Sequence, residues 1–373
     1  MSLFIDLTSI KNNIKIIKEV TNKEIMAVIK SDAYGLGSKY ILPTLYDAGI
    51  NWIVYNTYKE YLHDKDYIIN NKIKVLILES PTLMSIKDDY QYIIYSINSI
   101  DDLNCIKKSN KIITIHLRVN TGMNRLGIND MVEFEAILDD LQAKPNIIVD
   151  GIYTHFASNV DEYEYYHKQQ YLFLKYIEKY DFKHIHSACT SSLHKNIIGN
   201  MIRVGLALYG YGNHHLNLSP SLVFTTSVVS SFLLKKGECV GYDMTYTSSN
   251  KEYLNVIPLG YNEIQGITHI QYKNKKYKLI GKTCMNHSFF VTSFKINKIS
   301  KLLVLSKNDI IIMNYNWYHI LTSLKKVPKN YIKRGQNDIS SIYQRTNPKN
   351  QRYIFRRRSN QNISFGTIRF RWC

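Results

Sequence analysis

The sequence is short of the features that hold a secreted or membrane chain together. Its 373 residues include five cysteines, an odd number, and none of them forms a C-x-x-C pair. No His/Cys group has zinc spacing either. Free thiols in a reducing compartment are the simplest account, and no metal site is expected. No uninterrupted apolar run approaches the roughly 18 residues that a membrane helix needs. The N-terminus has no basic stretch leading into an apolar core, so no signal peptide is expected and the expected location is the cytoplasm. No repeat of fixed period is found. Acidic residues are scarce, at 30 Asp and Glu against 48 Lys and Arg, which leaves a formal charge of +18.

That imbalance invites a nucleic-acid reading, but its distribution argues against one. Residues 333–373 hold ten Lys and Arg and a single acid, Asp338, so half of the excess lies in the last 41 positions. The remaining 332 residues carry only a moderate excess and no nucleic-acid motif. The tail is expected to be a disordered extension, with a tether to an acidic surface as the sharper alternative. Tyrosine is abundant, at 30 residues, which makes any single tyrosine weak evidence of function.

The first two hundred residues contain eight short apolar, β-branched runs: 25–29, 52–55, 75–78, 92–97, 112–119, 147–156, 184–189 and 202–205. Segments of helical character separate most of them. Residues 8–19 carry an apolar stripe of Ile10, Ile14, Ile16 and Ile17, and residues 162–180 carry another. Alternating strands and helices indicate βα units and a parallel sheet, and eight units are the count of a closed (β/α)8 barrel. After Pro220 the texture changes. Strand-like runs without helical period follow as far as residue 294 and predict a second, antiparallel β domain, and residues 313–324 read as a mixed segment ending near Pro328. The expected division is 1–219, 220–332 and the basic tail 333–373.

The most informative stretch is Ala27-Val28-Ile29-Lys30-Ser31-Asp32-Ala33-Tyr34-Gly35-Leu36-Gly37. A lysine directly follows an apolar strand, where barrel active sites sit. An amine in an apolar mouth has a lowered pKa and attacks an aldehyde more readily. A surface lysine capping a strand would fit the same pattern.

This stretch resembles the cofactor-lysine signature of alanine racemases, a family built from a barrel and a β domain that uses pyridoxal 5'-phosphate (PLP). Ile5-Asp6-Leu7 and Asn12-Asn13 are similar to that family's start, and the resemblance runs from about residue 3 to residue 332. It implies that PLP is attached to Lys30. Arg125, in Arg118-Val119-Asn120-Thr121-Gly122-Met123-Asn124-Arg125-Leu126-Gly127, matches an arginine that reaches the substrate carboxylate, which a guanidinium suits by donating two parallel hydrogen bonds. His155, in Gly151-Ile152-Tyr153-Thr154-His155-Phe156-Ala157-Ser158, matches a histidine that hydrogen-bonds the catalytic tyrosine. In His186-Ser187-Ala188-Cys189-Thr190-Ser191, Thr190 takes the place of a phosphate-binding serine. In Arg203-Val204-Gly205-Leu206-Ala207-Leu208-Tyr209-Gly210, the resemblance implies that Arg203 faces the pyridine nitrogen and that Gly205 and Leu206 offer N–H groups to the phosphate. Tyr34 and Tyr318 match the phosphate-binding tyrosines.

In the second domain, Tyr242 of Cys239-Val240-Gly241-Tyr242 matches the second catalytic base. Tyr261 matches a tyrosine at the active-site entrance, and the resemblance implies that Met285 offers its backbone N–H to the substrate carboxylate. The activity implied is racemisation of alanine, supplying D-alanine for peptidoglycan. A PLP-binding pseudoenzyme and a racemase of serine or another small amino acid are the alternatives. The family pattern brings Tyr242 opposite Lys30 only from a second subunit, which implies a head-to-tail homodimer with shared sites acting on a small amino acid. Three departures stand out. Arg118 occupies the place of a lysine that many relatives can carbamylate, Asn120 and Asn286 replace customary aspartates, and the residues near Glu263 differ from the usual Ala-Asp-Gly. The pocket is therefore expected to be more positive than usual.

Overall fold

The computed structural model describes residues 1–157, 163–263, 266–273, 275–298, 300–305 and 317–333. Ser158, the side chain of Tyr318 and the tail beyond Lys333 lie outside the described residues. After a first strand, β1 (Ser2–Asp6), eight parallel strands close a barrel. They are β2 (Glu24–Val28), β3 (Trp52–Tyr55), β4 (Lys74–Ile77), β5 (Ile93–Ile97), β6 (Ile113–Arg118), β7 (Ile147–Tyr153), β8 (His184–His186) and β9 (Met201–Val204). Each coincides with one of the eight apolar runs in the sequence. The runs are continuous rather than alternating because both faces are covered, the inner by the barrel core and the outer by helices. β3, β5 and β9 are buried along their whole length.

The helix Leu7–Thr21 buries Leu7, Ile10, Ile14, Ile17 and Thr21, the three-and-four spacing expected of one helical face. Asp6 caps it, accepting from Thr8 N at 2.9 Å and Ser9 N at 3.2 Å. Asn13 is fully buried and ties the helix across the barrel's end. It donates to the carbonyls of Leu208 and Ser219 and accepts from Ser219 N at 2.7 Å.

The barrel closes with one irregularity. Ile115 pairs with Val149 but His116 pairs with Gly151, leaving Asp150 as a bulge in β7. A Cβ on Gly151 would lie 2.6 Å from the His184 carbonyl and 2.8 Å from His116 Nε2, so only glycine fits there.

The remaining strands are antiparallel, with one exception. A six-stranded sheet contains β10 (Leu222–Ser227), β15 (His269–Tyr272), β16 (Lys275–Lys278), β18 (Lys301–Leu305) and β19 (Lys329–Ile332), and takes in β1 from the other end of the chain. β1 pairs antiparallel with β10 and parallel with β19. The first five-residue strand therefore belongs to the second sheet although it precedes the barrel. A smaller sheet joins β11 (Ser230–Leu234), β14 (Glu252–Ile257) and β17 (Ser288–Thr292), and a two-stranded ribbon joins β12 (Cys239–Val240) to β13 (Tyr246–Thr247). No helix among the described residues is long and apolar enough to cross a membrane.

Candidate active site

A cavity of about 490 Å³ opens at the C-terminal ends of the barrel strands. Lys30 enters it just beyond β2, Asn56 beyond β3, Arg118 from the end of β6, His155 beyond β7, Cys189 and Thr190 beyond β8, and Arg203 and Gly205 from β9 and its exit. Tyr34, Arg125 and Tyr153 also line it, together with apolar side chains such as Val28, Leu78 and Phe156. The structure thus brings together Lys30, Tyr34, Arg125, His155, Thr190, Arg203 and Gly205, which the sequence had marked separately.

Lys30 begins an unusual turn. Ser31, Asp32, Ala33 and Tyr34 have φ of 56°, 60°, 52° and 58°, so four consecutive L-residues are left-handed. That conformation costs roughly 1–2 kcal/mol per residue. Two local hydrogen bonds and one tertiary one hold it. Ala33 N donates to the Ile29 carbonyl at 2.7 Å, Ser38 N to Asp32 Oδ1 at 2.7 Å, and Ser31 N to Glu60 Oε1 at 2.8 Å. The helix Trp317–Ser323 packs behind, so close that a Cβ on Gly35 would lie 2.8 Å from the Leu321 carbonyl. The result is that Lys30 and Tyr34 both face the cavity from one short segment.

Four cations line this cavity, Lys30, Arg118, Arg125 and Arg203, and none of its lining residues is a carboxylate. Their fields act on one another. Burial lowers the pKa of the Lys30 amine, and Arg125 and Arg118 lower it further, while Glu60 pulls the other way. His155 is driven down to about 3, first by burial and then by Arg203, Arg125, Arg118 and Lys30, so its imidazole is neutral. Burial brings Arg203 down to about 10, which still leaves it charged at neutral pH.

Arg203 is fixed from behind. Its Nη1 donates to His186 Nδ1 at 2.5 Å and to the His186 carbonyl at 2.8 Å, and its Nη2 donates to the Thr154 carbonyl at 2.6 Å. Because the guanidinium can only donate, His186 Nδ1 must accept and the ring proton sits on Nε2, which faces His116 Nδ1 at 2.9 Å. The Tyr153 ring stacks on His186 at 4.8 Å, and the guanidiniums of Arg203 and Arg118 lie 4.9 Å and 5.7 Å from its centre. The Tyr153 hydroxyl is 2.7 Å from Ser96 Oγ. Sequence reasoning gave no role to Tyr153, His186, Asn56 or Glu60. The first two stood inside quoted motifs, but the abundance of tyrosine masks one and an apolar strand hides the other.

The loop after β6 is organised by Asn120. Its Oδ1 accepts from Gly122 N and Asn124 N, and its Nδ2 donates to Asn124 Oδ1 and Asn129 Oδ1, both at 3.1 Å. A carboxylate could not make the last two bonds, so the departure from aspartate has a structural use.

The donor set suits a phosphorylated aldehyde. Thr190 Oγ1 accepts from Ala207 N at 3.2 Å, which leaves its hydroxyl proton free to point elsewhere. A Cβ on Gly205 would stand 2.1 Å from Tyr34 Oη, so the missing side chain lets that hydroxyl sit against the backbone at the exit of β9. Two hydroxyls, an amine of lowered pKa and a cationic lining without counter-charge match a dianionic phosphate, a carbonyl carbon and a carboxylate.

Comparison with known proteins agrees with this geometry. The family profile described as alanine racemase, N-terminal domain, matches residues 5–213, and the alanine racemase C-terminal domain matches residues 222–325. The chain belongs to the alanine racemase family. Alanine racemase of Staphylococcus saprophyticus subsp. saprophyticus is 28% identical over 326 residues, covering 82% of this chain and 85% of that one. Alanine racemase of Clostridium novyi is 28% identical over 376 residues, covering 89% and 95%. Among solved structures, alanine racemase from E. faecalis superposes with a TM-score of 0.80 at 21% identity, covering 88% of this chain and 97% of that one. Alanine racemase from Bartonella henselae, solved with covalently bound pyridoxal phosphate, gives 0.78 at 22% identity, covering 88% and 99%. As a member of this racemase family the chain is an isomerase, and its cofactor is PLP.

Leu206 is buried in the turn that follows β9 and is not part of the cavity lining, and the β domain holds Tyr242, Tyr261 and Met285, which in the single chain do not line the cavity either. Tyr242, Tyr261 and Met285 are 68%, 51% and 56% exposed. Tyr242 follows Gly241, whose φ is 71°, and precedes Asp243 at 55°. The Tyr261 and Met285 segments are zipped together, with Tyr261 N donating to the Cys284 carbonyl and Asn262 N to that of Met285. A Cβ on Gly260 would come within 2.2 Å of the Met285 carbonyl. Glu263 bonds Gly260 N at 2.8 Å and Asn286 Nδ2 at 2.7 Å. The two departures from the family pattern at Glu263 and Asn286 are thus partners, a carboxylate accepting from an amide.

Proposed function

We propose that this racemase interconverts L- and D-alanine with two opposed bases, the Lys30 amine and the Tyr242 phenol, and so supplies D-alanine for peptidoglycan. Removing the α-proton from one face and returning one to the other needs a base on each side of the reacting carbon. The observation that carries the reading is the Lys30 amine, its pKa lowered, in a cavity at the ends of the barrel strands whose charged lining residues are all cations.

PLP, when bound, withdraws electrons from the α-carbon and so acidifies its proton. Tyr34, Tyr318, Thr190 and the N–H groups of Gly205 and Leu206 would hold its phosphate, with Lys30 at its carbonyl carbon and Arg203 at its ring nitrogen. An arginine there opposes protonation of that nitrogen, because a second positive charge beside it is unfavourable. Charge at the α-carbon is then less stabilised, which limits transamination. Arg125 and the Met285 N–H would bind the substrate carboxylate, and Tyr261 would narrow the entrance. His155, held neutral, can offer a ring nitrogen to the Tyr242 hydroxyl. The exposure of Tyr242 in the single chain is consistent with delivery from a second copy, so the acting unit is read as a head-to-tail homodimer.

The test is incubation of the purified protein and PLP with L-alanine in heavy water. Deuterated D-alanine is the expected product. A protein that takes up PLP yet leaves the α-hydrogen unexchanged would be a pseudoenzyme, and exchange with L-serine but not L-alanine would move the substrate assignment.

A further inference from the structure

The left-handed turn after Lys30 needs an anchor, and the structure provides one that crosses between two barrel strands. We propose that Glu60 is a positioning residue for the Lys30 amine: its single carboxylate holds the turn behind the lysine and the neighbouring cavity wall at Asn56. This rests on the assignment of Lys30 as the cofactor lysine.

Glu60 lies in the first turn of the helix Tyr58–Asn70, where it forms a capping box with Thr57. Its N–H donates to Thr57 Oγ1 at 3.1 Å, and its Oε2 accepts from Thr57 N at 3.4 Å. A capping box alone serves only its own helix. This carboxylate does more. Oε2 also accepts from Asn56 N at 2.8 Å, and Oε1 reaches across to Ser31 N at 2.8 Å. Ser31 is the first residue of the left-handed run and directly follows Lys30. Asn56 lines the same cavity as Lys30. The two oxygens of one carboxylate therefore set the distance between two walls of the site. Only an ionised carboxylate can accept at both ends, since an amide of the same shape has one acceptor. Glu60 also raises the proton affinity of the amine, against burial, Arg125 and Arg118. It both places the amine and tempers its basicity.

The experiment reads lysine reactivity directly. Wild type, Glu60→Gln, Glu60→Asp and Thr57→Ala apoproteins are treated with PLP and borohydride across a pH series, and label on the peptide containing residue 30 is quantified. Melting temperature, kcat and KM for L-alanine are measured in parallel. Thr57→Ala removes the other half of the capping box and leaves the Glu60 carboxylate in place, so it lowers the melting temperature without moving the labelling midpoint. Glu60→Gln moves that midpoint to lower pH and lowers kcat by roughly tenfold or more, as a displaced catalytic group does, with KM little changed. Glu60→Asp retains the charge but not the reach, so it keeps the midpoint near wild type and still loses kcat. If Glu60→Gln merely reproduces the Thr57→Ala pattern, Glu60 is a helix cap and the proposal is overturned. Absence of label on residue 30 in the wild type would instead overturn the assignment of Lys30.

Discussion

Lys30 sits where three influences favour its neutral form and one opposes it. Burial acts most strongly, then Arg125, then Arg118, with Glu60 opposed. The folded-state pKa is depressed, so the amine is neutral, and able to capture an aldehyde, from a lower pH than an ordinary lysine. Removing a neighbouring positive charge makes the ammonium easier to form and moves the pH of half-maximal PLP capture by the apoprotein upward. Arg125→Gln should move it further than Arg118→Gln, following the order of the two effects. Stopped-flow absorbance across a pH series measures this, and a midpoint that falls in either variant contradicts the electrostatic account. At this scale the sequence was most legible where chemistry restricts the choice of residue. Lys30 and Arg125 were marked through the family resemblance, and the structure brings both to one cavity. The platform residues were not marked, because Tyr153 acts by lying beneath two guanidiniums, and that depends on which strands are neighbours.

Elements were legible in proportion to how far burial alone dictates them. Barrel strands such as β3 and β5 are buried on both faces and stand out as continuous runs. The turn from Ser31 to Tyr34 could not be read, since none of its four residues is glycine and each taken singly avoids a positive φ. Its conformation is imposed by Glu60, Asp32 and the backing helix, all brought there by the fold. β1 was missed as a strand for a related reason. Ser2–Asp6 was marked only as part of a motif, and its pairing partners lie more than two hundred residues away. The strand and the first helix meet at Asp6, which is buried and accepts from Thr8 N, Ser9 N and Ser9 Oγ, the last at 2.8 Å. Asp6→Ala strips the cap and leaves these groups without their acceptor. The expected loss is about 1–2 kcal/mol, visible as a lower denaturation midpoint with unchanged slope. An unchanged midpoint would mean that water replaces the carboxylate without cost.

At the scale of the molecule, the antiparallel strand β10 begins at Leu222, two residues beyond the Pro220 at which the texture of the sequence changes. The cavity gathers four cations from distant positions in the chain. The relation of one copy to another is the part neither texture nor charge encodes. Tyr242, Tyr261 and Met285 are exposed on the β domain and do not line the cavity that the proposed chemistry would have them serve. A two-fold dimer resolves this if each subunit lends its Tyr242 to the other's Lys30. Complementation tests the sharing. Lys30→Ala and Tyr242→Phe proteins should each be nearly inactive. Unfolded together and refolded, half of the dimers are mixed, and each mixed dimer has one site with an intact Lys30 and an intact Tyr242 and one site with neither. Activity should therefore return to roughly a quarter of the wild-type level, as random exchange in a two-fold dimer requires. If both residues came from the same chain, every site would remain broken and mixing would restore nothing.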